Sequence, residues 1–104
     1  MAPGIDSGLV VFATATNATS AVATLSAKVG QRYYITDISG SSDKAGAQLL
    51  VKDGTTVIWQ DIIRNTVPYT KDFIVPLVIT VSAACSVTVD GTAACTANIA
   101  GYLV

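Results

Sequence analysis

The side chains best suited to chemistry in this sequence are seven aspartates (Asp6, Asp37, Asp43, Asp53, Asp61, Asp72 and Asp90) and two cysteines, Cys85 and Cys95. There is no histidine and no glutamate. The commonest general base and metal ligand is therefore missing, and neither a Ser–His–Asp nor a Cys–His site can be built. A carboxylate pair would serve glycoside hydrolysis, one group acting as acid and the other as base or nucleophile. Asp53 and Asp90, however, each precede a glycine and read as turn residues. Asp61 and Asp72 are spaced to approach each other or to meet Arg64 and Lys71, as a surface ion pair worth up to about 1 kcal/mol. Asp43 and Asp53 lack the closely spaced acids of a calcium loop. The expectation is no catalytic group, no cofactor and no metal.

The cysteines lack zinc-ligand spacing. A hairpin centred on Asp90–Ala94 would set Cys95 opposite about Val89 and Cys85 opposite about Ile99, which counts against a bridge between them. The expectation is two small buried hydrophobes, with a disulfide as the alternative. Trp59 with Tyr33, Tyr34, Tyr69 and Tyr102 offers stacking surfaces for a sugar. Trp59 shares a strand face with Val57, which favours core or interface packing instead. Asn17-Ala18-Thr19 matches a glycosylation sequon, relevant only in a eukaryotic secretory setting.

The elements that must position these groups are strands. Val, Thr and Ile occur 13, 13 and 9 times; such β-branched side chains are stiff at χ1 and pack well on a pleated surface. Eight strands are expected: Leu9–Thr16, Ala21–Ala27, Arg32–Ser39, Ala47–Lys52, Thr55–Ile63, Tyr69–Val75, Cys85–Val89 and Cys95–Val104, with an extra strand over Leu77–Val81 as an option. Asp53-Gly54 is the strongest hairpin signal. Residues 40–46 are the most loop-like stretch, and Pro76 ends its strand or confines it to an edge. No i, i+3, i+4 pattern is sustained, so no βαβ unit is expected. The fold class is all-β, an antiparallel β-sandwich of about eight strands over residues 9–104, after an extended arm at residues 1–8. That arm is read either as a loose tail or as a segment lying on a neighbour.

Charged residues make up 12% of the 104-residue chain, with a net charge of −1, against about 25% charged in an ordinary domain. Without a basic cluster, nucleic acid is not an expected partner. Residues 8–27 carry no charge, yet Thr14, Thr16, Asn17, Thr19, Ser20, Thr24 and Ser26 interrupt the run, so no membrane span is expected. Residues 1–6 lack the positive start of a signal peptide. Several strands carry apolar groups on both faces: Leu49 and Val51 against Leu50, Val57 and Trp59 against Ile58 and Ile62, Ile38 against Ile35. A lone sandwich should be polar outside. The surplus therefore predicts a covered outer face, with Ile5, Leu9, Val11, Leu50, Ile58 and Ile62 as interface candidates.

Four stretches carry a resemblance. They are Gly30-Gln31-Arg32-Tyr33-Tyr34-Ile35-Thr36-Asp37-Ile38, Lys52-Asp53-Gly54-Thr55-Thr56-Val57-Ile58-Trp59, Asp72-Phe73-Ile74-Val75-Pro76-Leu77, and Asn98-Ile99-Ala100-Gly101-Tyr102. In that order, over roughly residues 21–104, the chain resembles small jelly-roll virion proteins of tailed bacteriophages, of the capsid decoration (cement) or head-fibre type. The resemblance implies a non-enzymatic structural protein that forms homo-oligomers, often trimers, and seats on the major capsid protein at the virion surface after synthesis in the bacterial cytoplasm. Such families have no motif-defined active residues, so none carries over. The alternative expectation is a carbohydrate-binding or adhesion module of a phage tail or fibre.

Overall fold

The computed structural model describes residues 9–64 and 67–104, with the side chain of Leu9 left out. Eight strands follow in order: β1 Leu9–Asn17, β2 Ser20–Leu25, β3 Tyr33–Ser42, β4 Ala47–Asp53, β5 Thr56–Ile63, β6 Tyr69–Val78, β7 Cys85–Asp90 and β8 Cys95–Leu103. They form two four-stranded antiparallel sheets, ordered β1-β8-β3-β6 and β2-β7-β4-β5. The pairs β4–β5, β3–β6, β2–β7 and β1–β8 are nested like the two halves of one long hairpin. That ribbon wraps on itself, and only the β4–β5 connection stays within a sheet. This is the jelly-roll solution to burying two amphipathic sheets, and the expected all-β sandwich is what the chain forms.

Alternation along the strands builds the core. In β8 every second residue is buried, from Cys95 through Ala97, Ile99 and Gly101 to Leu103. In the facing sheet Leu49, Val51, Val87 and Val89 point inward. The inner surface is uneven from side to side. Around β1 and β2 it is lined by Ala13, Ala15, Ala21 and Ala23. At the opposite side Trp59, Tyr69 and Phe73 fill the gap between β5 and β6, with Phe73 edge-on to Trp59 at 5.5 Å. T-shaped aromatic pairs of this kind add to plain area burial.

Four local expectations are corrected. β3 does not stop before Gly40 but runs to Ser42, leaving residues 43–46 as the loop. Gly40 is a packing position rather than a turn: a Cβ there would sit 2.8 Å from Val89 Cγ2. β6 continues through Pro76 to Val78, so there is no separate strand over Leu77–Val81; it is an edge strand, where proline is tolerated. The β4–β5 turn is Gly54-Thr55, since Asp53 already pairs with Thr56. Gly54 alone of the two has positive φ, 61°, as a turn with glycine at its first central position requires. Finally, β7 and β8 are not a hairpin, because residues 91–94 cross from one sheet to the other.

The register of β3 slips between Ile35 and Asp37 against both neighbours. The slip at Thr36 buries both Ile35 and Ile38, which simple alternation would put on opposite faces. The apolar two-sidedness read for this strand is thus resolved inside the core. The bulge also brings β3 close to β8: a Cβ on Gly101 would strike the Tyr34 carbonyl oxygen and lie 3.0 Å from Ile35 Cα.

Candidate functional site

Short aspartate side chains act mainly as staples between strand ends. Asp43 Oδ1 accepts from Thr92 N at 2.9 Å, and its Oδ2 accepts from Thr92 Oγ1 at 2.9 Å and Ala93 N at 2.8 Å. Hydrogen bonding, led by the Thr92 backbone N–H, holds its pKa down to about 2. Asp90 takes Lys44 Nζ at 2.8 Å and Gln48 N at 2.7 Å; the Lys44 hydrogen bond is the main cause of its lowered pKa. Asp53 accepts from Thr80 N at 3.0 Å and Thr80 Oγ1 at 2.7 Å. Asp61 accepts from Tyr69 Oη at 2.6 Å, which lowers its pKa, while burial first and then this bond push the Tyr69 phenol up to about 12.

The remaining described pair behaves differently. Asp37 on β3 and Asp72 on β6 sit directly opposite in the ladder. A hydrogen bond with Asp72 is the largest cause of a raised pKa at Asp37, ahead of burial and like-charge repulsion. That neighbour favours the neutral form of Asp37. The partner of Asp72 is therefore Asp37 rather than Asp61.

Register places this pair within an ordered outer face on the first sheet. One row across β1, β8, β3 and β6 is Val10, Tyr102, Tyr34 and Val78. The next is Phe12, Ala100, Asp37 and Asp72, and the third is Thr14, Asn98, Ser39 and Thr70. Tyr34 and Tyr102 stack at 5.2 Å with rings 8° apart. Asn98 links the third row, accepting from Thr14 Oγ1 at 2.5 Å and donating to Ser39 Oγ at 3.0 Å. A shallow groove of about 340 Å³ runs between the second and third rows. The face thus grades from aromatic and aliphatic at one end to hydroxyl and amide at the other, with Asp37 and Asp72 its only charges across these rows.

The most exposed apolar side chains on strands stand on the two edge strands of this sheet. Val10 and Phe12 on β1 are 82% and 77% exposed, and Ile74 and Val75 on β6 are 98% and 80% exposed. Pairing passes from Asp37–Asp72 straight to Ile35–Leu77, leaving residues 73–76 without partners on β3. Of the interface residues read from sequence, Ile58 and Ile62 are exposed on the edge strand β5, and Leu50 is half-buried on the outside of β4. Val11 instead packs against the core. Ile5 and the Leu9 side chain lie outside the described residues. Leu50, Ile58 and Ile62 share the outer face of the second sheet, with Leu50 opposite Gln60 between the two isoleucines, whereas Val11 belongs to the first sheet. Sequence reasoning passed over Val10 and Phe12, although strand parity held the signal: they share a face with Thr14 and Thr16.

Neither thiol is placed for reaction. Cys85 and Cys95 are free and buried. Cys85 pairs with Leu25 and Asp53, and Cys95 with Asn17 and Ser42. They lie at opposite ends of the sandwich, roughly 15 Å or more apart along the strands, beyond the roughly 7 Å Cα limit of a disulfide. Burial, aided by Asp53, pushes the Cys85 thiol up to about 12, so the nucleophilic thiolate is suppressed. Trp59 packs against the core, as favoured from sequence.

No protein-family model matches the chain, and no curated protein matches it. Among solved structures, the chain is similar to PliG of Aeromonas hydrophila, a periplasmic lysozyme inhibitor of g-type lysozyme, with 13% identity and a TM-score of 0.36 over 89% of this chain and 85% of that one. A likeness that slight carries no functional weight.

Proposed function

We propose that the chain is a non-enzymatic virion structural protein of a tailed bacteriophage, a capsid decoration protein that self-associates and binds the major capsid protein on the outside of the shell. The observation carrying this reading is the outer face of the first sheet. Apart from the Asp37–Asp72 pair at its centre it carries apolar, aromatic, hydroxyl and amide groups, and Val10, Phe12, Ile74 and Val75 on its two edge strands stand in solvent. Surfaces of this composition suit burial against protein, since apolar area contributes about 25 cal/mol per Å² when removed from water. Many equivalent sites on one shell would add avidity. The jelly-roll topology and the four sequence stretches that resemble phage decoration proteins support the same reading. The buried, protonated Cys85 favours a mechanical role over a covalent one.

The test is to mix purified protein with phage capsids stripped of their accessory proteins and to sediment them. Saturable binding that raises the capsid's resistance to heat is expected. Failure to bind capsids would remove the proposal.

A second reading, glycan binding at a tail or fibre, draws on the Tyr34–Tyr102 stack. A glycan array together with tyrosine fluorescence titration separates the two, because only a glycan binder responds to free sugar.

A further inference from the structure

β6 meets β3 as two short ladders with an excursion between them. Residues 69–72 pair with residues 37–40, and Leu77 and Val78 pair with Ile35 and Tyr34. Between these ladders β6 spends four residues, 73–76, where β3 spends one, Thr36. Ile74 and Val75 stand in solvent, and Pro76 has no N–H to donate. Phe73 turns inward, edge-on to Trp59, the sole tryptophan of the chain. The last pair before the excursion is Asp37 opposite Asp72. Like charges directly opposite each other in an antiparallel pair are destabilising. The ladder therefore ends, at the mouth of the excursion, on a pair that repels when ionised.

Among the described residues no cation neutralises this pair. Its own row brings Ala100 from β8 and Phe12 from β1, and the rows on either side bring Tyr34 and Tyr102, then Ser39, Asn98 and Thr70. Lys71 belongs to the opposite face of β6, with its Nζ 5.9 Å from the centroid of the Phe73 ring, and it acts with Arg64 on Asp61 instead. We propose that residues 73–76 are a pH-gated flap on the sheet edge: with Asp37 or Asp72 protonated, the two carboxyls fasten β6 to β3 at the mouth of the excursion, and with both ionised they part and let the flap draw Phe73 away from Trp59. Asp72 holds the Asp37 carboxyl above its ordinary value. The fastening is therefore full below about 3.8 and is lost as pH rises through the higher folded-state value. This goes beyond the decoration reading and does not depend on it.

Trp59 makes the flap visible. The test follows acrylamide quenching of its fluorescence in the full chain as pH is raised, with circular dichroism to verify folding. Wild-type quenching should increase as pH climbs above about 3.8. Asp72→Asn and Asp37→Asn each leave a single carboxyl, so each should keep quenching at its low-pH level throughout. Asp61→Asn is the control. Its partner Tyr69 also packs on Trp59, at 6.1 Å, but Asp61 titrates below its ordinary value, so the increase should persist in that variant. As a second measurement, amides of residues 70–73 should exchange with solvent about two- to fivefold more slowly in Asp72→Asn than in the wild type at pH 7, with β1 and β7 unchanged. A wild-type profile that stays flat above pH 3.8, an increase that survives in both the Asp37 and Asp72 variants, or slowing spread evenly over all strands overturns the flap. Neither measurement involves capsids, so the flap and the decoration reading fail separately.

Discussion

At the scale of single residues, the aspartates fall into two groups with opposite pH signatures. Asp43 has a folded-state pKa depressed from 3.8 to about 2. Its contribution to stability is present above the unfolded value and is lost as pH falls from about 3.8 through about 2. Asp43→Asn should lower the melting temperature at neutral pH and flatten the acid limb, as followed by thermal unfolding across pH. Asp37 is raised above 3.8 by its hydrogen bond with Asp72. A raised carboxyl gives stability that is full below the unfolded value and lost as pH rises through the folded one, so at neutral pH the Asp37 carboxylate weakens the fold. Asp72→Asn should therefore raise the melting temperature at pH 7, and Asp37 should then titrate lower by carboxyl-carbon NMR. An unchanged Asp37 titration would show that the two carboxyls do not interact. Gly101 is limited by space: an added Cβ would strike Tyr34 O and lie 3.0 Å from Ile35 Cα, so Gly101→Ala should cost about 1–3 kcal/mol in urea unfolding.

At the scale of elements, strand existence was readable because β-branched residues and turn signals agree, and Asp53-Gly54 marked its hairpin to within one residue. Pairing was less readable. Asp90-Gly91 has the composition of a hairpin turn, but the inner faces of β7 and β8 both need covering, and placing them in opposite sheets lets each cover the other's core side. The β3 bulge was invisible because regular alternation reads Ile35 and Ile38 as opposite faces of one strand; the register slip and the joint burial of both isoleucines reveal it. The candidate surface suffered the same way. Val11 was chosen for its apolarity, while the parity set by Thr14 and Thr16 turns Val10 and Phe12 outward and Val11 inward. A parity-based prediction follows: Val11→Ser should lower stability by about 1–3 kcal/mol through lost core burial, whereas Val10→Ser should stay within about 0.5 kcal/mol, both by chemical denaturation under monomeric conditions.

At the scale of the whole molecule, the low charge of the chain is distributed with a purpose. Charged side chains gather where strand ends and the β5–β6 edges need fastening or blunting. The β1–β2 strands and, apart from the Asp37–Asp72 pair, the outer face of the first sheet carry alanine, valine, aromatic and hydroxyl groups. The apolar surplus seen in the composition is carried by β1 and β6 more than by β3–β5, since Val10, Phe12, Ile74 and Val75 are its most exposed members on strands. The measurement that tests the central claim most directly is quantitative mass spectrometry of intact phage particles that encode this chain. A decoration protein predicts a copy number comparable to that of the major capsid subunit, retained after tails are removed. Absence from purified particles, or a few copies lost with the tail, would contradict it.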